Sequence, residues 1–132
     1  MQSFPITALS TLLISLLQCV IAVNVGRARH RYGVHAPATT GHEMFERAYR
    51  IQMNTIEIIV AFLPCLWIFA AFVGDAWAGL AATVFIIGRV LYALGYQREP
   101  KQREAGFGIA LLAFAVVLLG GAYGVVRALL AT

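Results

Sequence analysis

In the segment ERAYRIQMNTIEIIVAFLPCLW, residues 46–67, arginines, amides and carboxylates crowd the mouth of an apolar run. On a helix turning 100° per residue, Arg50, Asn54 and Glu57 fall within about 60° of one another, with Glu46 and Arg47 flanking the same stripe. Gln52 points nearly the opposite way. Downstream, in GRVLYALGYQREPKQR, residues 88–103, Arg89, Tyr92 and Tyr96 share one face of a helix and Arg103 follows a proline. Guanidinium groups hold carboxylates through paired hydrogen bonds. A carboxylate such as Glu57 suits an ammonium, and amides and phenols add neutral hydrogen bonds. Together these groups fit a small, polar, mostly anionic molecule that also carries an amine. A single chain's cavity can hardly use both Gln52 and Asn54, whereas two subunits sharing a site across an interface can.

Such residues need rigid elements, and the composition says which kind. The chain has 132 residues, 61% hydrophobic and only 12% charged, about half the charge of a soluble domain. Its hydrophobicity is gathered in four runs, 6–25, 58–73, 77–94 and 105–126, each near the roughly 20 residues a helix needs to cross a bilayer core of about 30 Å. None shows the period-2 alternation of a membrane β-barrel. The predicted fold is all-α: an integral membrane four-helix bundle forming one domain over 1–132, with spans near 5–26, 41–73, 77–97 and 104–130. The first run is expected to be a retained span, because MQSFP carries no Lys or Arg and the run is long for a secretory leader. Cys19 and Cys65 lie within apolar runs and are expected to be packing residues.

Eight of the ten Lys and Arg residues flank the first and third connections: Arg27, Arg29, Arg31, Arg47, Arg50, Arg98, Lys101 and Arg103. The positive-inside rule then places those connections in the cytoplasm and both termini on the other side. The net charge of +4 is mostly this topological signal, and no separate basic surface points to nucleic acid. Thr40 and Glu43 form a capping-box pattern that starts the second helix near Gly41. Gly120 and Gly124 form GxxxG, which permits close helix contact. Glu57 lies sixteen residues before Val73, about 24 Å along a helix, just inside the polar edge of the hydrocarbon. Arg89 sits at comparable depth, where an arginine must face the bundle interior. Glu57 is its nearest carboxylate by height, so an Arg89–Glu57 ion pair is expected, directly or through a bound ligand.

Each residue also has a plainer explanation. Arg27, Arg29, Arg31, Arg98 and Lys101 suit topology and headgroup contacts. Tyr92 and Tyr96 suit interfacial aromatics, and Asn54, Glu57 and Arg89 an internal polar clamp. Convergence at one depth favours a site.

ERAYRIQMNTIE followed by FLPCLW resembles the signature of the MAPEG family, which includes microsomal and leukotriene-forming glutathione transferases and related lipid-binding proteins. The first connection, RARHRYGVHAPATTGHEMFERAYR, and the segment GRVLYALGYQREPKQR are similar to the corresponding parts of that family. The resemblance implies a homotrimer that binds glutathione between subunits at the cytoplasmic side. By position it implies glutathione contacts from Arg29, Arg50, Gln52, Asn54, Glu57, Tyr92 and Tyr96. Arg103 would stand beside the thiol as the catalytic residue. A lipophilic electrophile would arrive from the surrounding lipid, and no metal is implied. The reactions within reach are conjugation and reduction of a lipid hydroperoxide. Leukotriene-forming members carry two adjacent arginines where this chain has Arg29-His30. That departure bears on leukotriene-type chemistry and leaves general glutathione transfer open.

Rival readings are a non-catalytic, lipid-binding member of the family and a small four-helix multidrug exporter. The exporter requires a carboxylate within the first span, and 6–25 has none.

Overall fold

The computed structural model describes residues 3–131. Among them are four long helices, each long and apolar enough to cross a membrane: α1 (Pro5–Tyr32), α2 (Glu43–Phe72), α3 (Asp75–Arg98) and α4 (Glu104–Leu130). A 3-10 turn, Pro100–Arg103, joins α3 to α4. The helices alternate in direction. The 33–42 connection and the 3-10 turn therefore share one end of the bundle, called here the polar end, and the tight turn at Gly74 lies at the other.

The bundle interior is made of Ile14, Phe62, Leu66, Phe85, Val117 and small residues such as Ala78, Ala82 and Ala110, all fully buried. Phe62 and Phe85 stack with ring centroids 3.9 Å apart. The outer face is equally apolar, with Leu12, Val60, Leu112 and Leu119 all more than 60% exposed, as a lipid-facing surface requires. Cys65 is partly buried against the core, but Cys19 is exposed on α1, because a helix that is apolar all round does not announce which face packs.

Small residues set the closest approach. A Cβ on Gly106 would collide with the Tyr92 backbone nitrogen and lie 2.7 Å from the Gly88 carbonyl oxygen. One on Gly88 would lie 2.6 Å from the Ala110 nitrogen. α3 and α4 are therefore in backbone contact just where Tyr92 and the start of α4 meet. The Gly120–Gly124 pair is used within the chain, seating Phe69 and Phe72 of α2 against α4.

Helix ends differ informatively from the hydropathy boundaries. α1 continues to Tyr32, past the span expected to close at residue 26. Hydropathy marks the membrane edge, whereas the helix stops where Gly33 adopts φ 66° and bonds back to the Arg29 carbonyl. Arg29, His30 and Arg31 occupy that last turn, where cations suit the helix dipole. α2 is capped by His42, not by Thr40. The His42 Nδ1 accepts the Met44 N–H at 3.1 Å. Glu43 pairs instead with Arg47, and Glu46 Oε1 accepts the Gly41 N–H at 3.0 Å. α3 begins at Asp75, whose carboxylate caps α1 across the bundle. It accepts the Ile6 and Thr7 N–H groups at 2.9 and 2.7 Å and the Thr7 hydroxyl at 2.7 Å, satisfying first-turn donors that the helix cannot bond itself.

Candidate functional site

At the polar end a cavity of about 350 Å³ is lined by Asn54 of α2, Tyr92 of α3, and Arg103, Glu104 and Phe107 around the start of α4. That volume lies in the range of small-molecule sites. Its parts are positioned by the features just described. The Gly88–Gly106 contact holds α4 against Tyr92. Glu99 is extended, as the residue before a proline prefers, and the Pro100–Arg103 turn swings Arg103 back over α3. Arg47 of α2 donates to the Gln97 and Arg98 carbonyls at 3.3 and 2.9 Å, which fastens the last turn of α3 to α2.

Two tyrosines run between two arginines along this wall. The Arg89 Cζ lies 4.0 Å from the Tyr92 ring centroid. The Tyr92 and Tyr96 rings are 5.8 Å apart, and the Arg103 Cζ stands 5.2 Å from the Tyr96 ring. Each cation sits within reach of an aromatic face, an attraction that strengthens as water is excluded. Arg103 is exposed at the rim, while Arg89 is fully buried.

Arg89 does not pair with Glu57 in the chain. Its Nη2 donates to Asn54 Oδ1 at 3.1 Å and to Thr55 Oγ1 at 2.6 Å, and the Thr55 hydroxyl donates in turn to the Ile51 carbonyl at 2.6 Å. Similar height along two helices brings side chains together only when their azimuths also match. Ile51 and Thr55 are the buried residues that turn α2 toward the interior. On a helix Glu57 stands about 160° from Thr55, and it is exposed.

Of the residues singled out for binding, Asn54, Tyr92 and Arg103 meet around the cavity, and Tyr96 backs Arg103. Arg50 and Glu57 are exposed on the Asn54 flank of α2, and Gln52 is half-buried on the opposite flank. Arg29 is engaged elsewhere: its Nη1 donates to the Ala38 carbonyl at 2.7 Å and its Cζ lies 4.6 Å from the Phe45 ring. Thr55, Glu104 and Phe107 escaped the sequence reading. A hydroxyl beside Asn54, on the side turned toward Arg89, was the available signal for Thr55. Phe107 carried none, being one aromatic in an apolar run.

Fold and site together define a multi-span helical protein with a polar cavity at one end of its bundle, lined by an arginine, a glutamate, an amide and a tyrosine. Residues 7–123 match the MAPEG family, and the chain belongs to that family. It is 44% identical over 113 residues to an uncharacterized protein of Synechocystis sp., covering 86% of this chain and 82% of the relative. It is 37% identical to microsomal glutathione S-transferase 2 of Homo sapiens, covering 86% of this chain and 77% of that one. It is also 40% identical over 95 residues to leukotriene C4 synthase of Bos taurus, covering 72% and 63%.

Proposed function

We propose that this chain is a membrane-bound glutathione transferase, also able to reduce lipid hydroperoxides, and that it works as a homotrimer with glutathione between adjacent protomers at the cytoplasmic side. The observation that carries the reading is the cavity in which a fixed cation, Arg103, meets the amide of Asn54 and the phenol of Tyr92. The relatives named for glutathione transfer add to it. One protomer offers Arg50, Asn54, Glu57, Tyr92, Tyr96 and Arg103. The neighbour offers Gln52, on the flank of α2 opposite Asn54, and Arg29, from the last turn of α1. The arginines suit the two carboxylates of the tripeptide and Glu57 its ammonium.

A free thiol titrates near about pH 8.5, so only a few per cent is thiolate at neutrality. A cation beside the sulfur favours the ionised form. Arg103 stays protonated and cannot act as the base, so the thiol proton leaves to water. The sulfur lone pair then forms the C–S bond as the electrophile's leaving group departs with its bonding electrons, or as an epoxide C–O bond opens and its oxygen takes a proton from water. With a hydroperoxide, sulfur attacks the terminal oxygen, the O–O bond breaks and the alkoxide takes a proton from water. A second glutathione converts the resulting sulfenic acid to the disulfide with release of water. The apolar reactant arrives from lipid past Phe107, which is 40% exposed beside the cavity.

The test is glutathione titration of the purified protein, with conjugation and peroxidase assays on the same sample. Arg103→Ala is expected to lower both the ultraviolet absorbance of bound thiolate and turnover by on the order of 10-fold. Failure of the wild-type protein to bind glutathione overturns the reading. Unchanged thiolate and turnover in the variant remove Arg103 from the mechanism.

A further inference from the structure

Arg89 is a fully buried cation whose Nε and Nη1 have no hydrogen-bond partner among the described residues. Arg89 makes no ion pair among the described residues, and Glu57, the carboxylate expected at its height, is exposed. A charge held this way at membrane depth is costly, and a residue serving only to clamp two helices needs no charge. What Arg89 does with its one engaged nitrogen is therefore informative. A guanidinium can only donate. Whatever amide rotamer is considered, the Asn54 group facing Arg89 at 3.1 Å must be the carbonyl oxygen. The Asn54 amide nitrogen is then turned away from Arg89, and Asn54 lines the cavity shared with Tyr92 and Arg103. Thr55 holds the other side of the arrangement. Its only proton goes to the Ile51 carbonyl, which leaves a lone pair for the same Arg89 nitrogen. The guanidinium also lies against the Tyr92 ring, so a single side chain governs two of the cavity's walls.

We infer that Arg89 is a positioning residue that fixes Asn54 as a hydrogen-bond donor into the cavity, so that the group received there is an acceptor of glutathione, a carboxylate or peptide carbonyl, and not its ammonium. This rests on the glutathione reading above and adds to it which polar end of the ligand Asn54 selects. Free rotation of the amide would let Asn54 present either its oxygen or its nitrogen. Arg89 removes that choice, which is specificity set from behind the site.

The experiment is a double-mutant cycle on glutathione affinity, measured on the full chain in detergent. Wild-type binding comes first, and its absence overturns the glutathione reading itself. Given binding, Asn54→Ala is expected to raise the glutathione Kd by about 10-fold, the loss of one hydrogen bond to a charged group, and Arg89→Leu by a few-fold, since a freed amide can still turn its nitrogen to the ligand. The double variant should be no weaker than Asn54→Ala alone. In Arg89→Leu the KM for glutathione should rise while the thiolate absorbance at saturation stays at the wild-type level, a split that a general loss of structure would not produce. Because Arg89→Leu can fail to fold, Thr55→Val provides an independent arm. It preserves shape and charge but removes the second acceptor of Arg89. Its Kd should rise a few-fold with Asn54 present and not at all in the Asn54→Ala background. Additive losses in either cycle, or equal loss of thiolate and affinity in Arg89→Leu, overturn the assignment.

Discussion

At the scale of single residues, two of the carboxylates on α2, Glu43 and Glu57, behave differently, and azimuth decides which does what. Glu43 is spent on Arg47 within α2. Glu57 makes no ion pair among the described residues and is exposed on the same flank as Asn54 and Arg50. An exposed, unpaired carboxylate at the end of an apolar span suits a cationic partner from outside the chain, and in the proposed function the ammonium of glutathione is that partner. Glu57→Gln is therefore expected to weaken glutathione binding by about 10-fold, the scale of a lost charge-assisted hydrogen bond. The thiolate absorbance at saturating ligand should remain unchanged, because the cation proposed to stand near sulfur is Arg103. Calorimetric affinity and ultraviolet spectra on one sample check both halves. Unaltered affinity would mean that the ammonium is held elsewhere.

At the scale of elements, the candidate site lies at one end of the bundle and the Asp75 cap at the other, and single substitutions should tell their roles apart. Gly106→Ala pushes a methyl group into the backbone of Tyr92 and Gly88. Overpacking of this kind costs about 1–3 kcal/mol, and here it also displaces Tyr92 and the start of α4 from each other. Both the Tm in detergent and the glutathione affinity should fall. Asp75→Ala acts at the opposite end. It strips α1 of the acceptors for the Ile6 and Thr7 N–H groups, so the Tm should fall while glutathione affinity holds. Equal damage to affinity from both variants would show that the two ends are not separable. Neither device follows from local pattern. Asp75 reads as a turn residue and Gly106 as one glycine in an apolar run, and their roles exist only once α1 lies beside the 74–75 turn and α4 beside α3.

At the scale of the whole molecule, a shared site makes a prediction that no single-chain site makes. If Gln52 serves the neighbour's cavity and Arg103 its own, Arg103→Ala and Gln52→Ala protomers are each poorly active alone. Co-assembled, they should regain activity, since some interfaces then carry both native residues. Activity of co-expressed variants that never exceeds that of either parent would place the whole site within one chain. The resemblance of ERAYRIQMNTIE and GRVLYALGYQREPKQR to the MAPEG family was legible without coordinates, and the family match over residues 7–123 agrees with it. So was the all-helical character, because four apolar runs of near 20 residues leave a membrane chain few ways to satisfy its backbone. The clustering of polar groups at one end was also present in the spacing of residues 46–57 and 89–103. What the sequence could not decide was which of those groups meet. Hydropathy and helical periodicity place a residue by height and by angle on its own helix, but the rotation of one helix against another is set by packing. Ile51 and Thr55 turn toward α3, the Gly88–Gly106 contact brings α4 onto Tyr92, and Arg89 thereby finds Asn54 and Thr55 in place of Glu57.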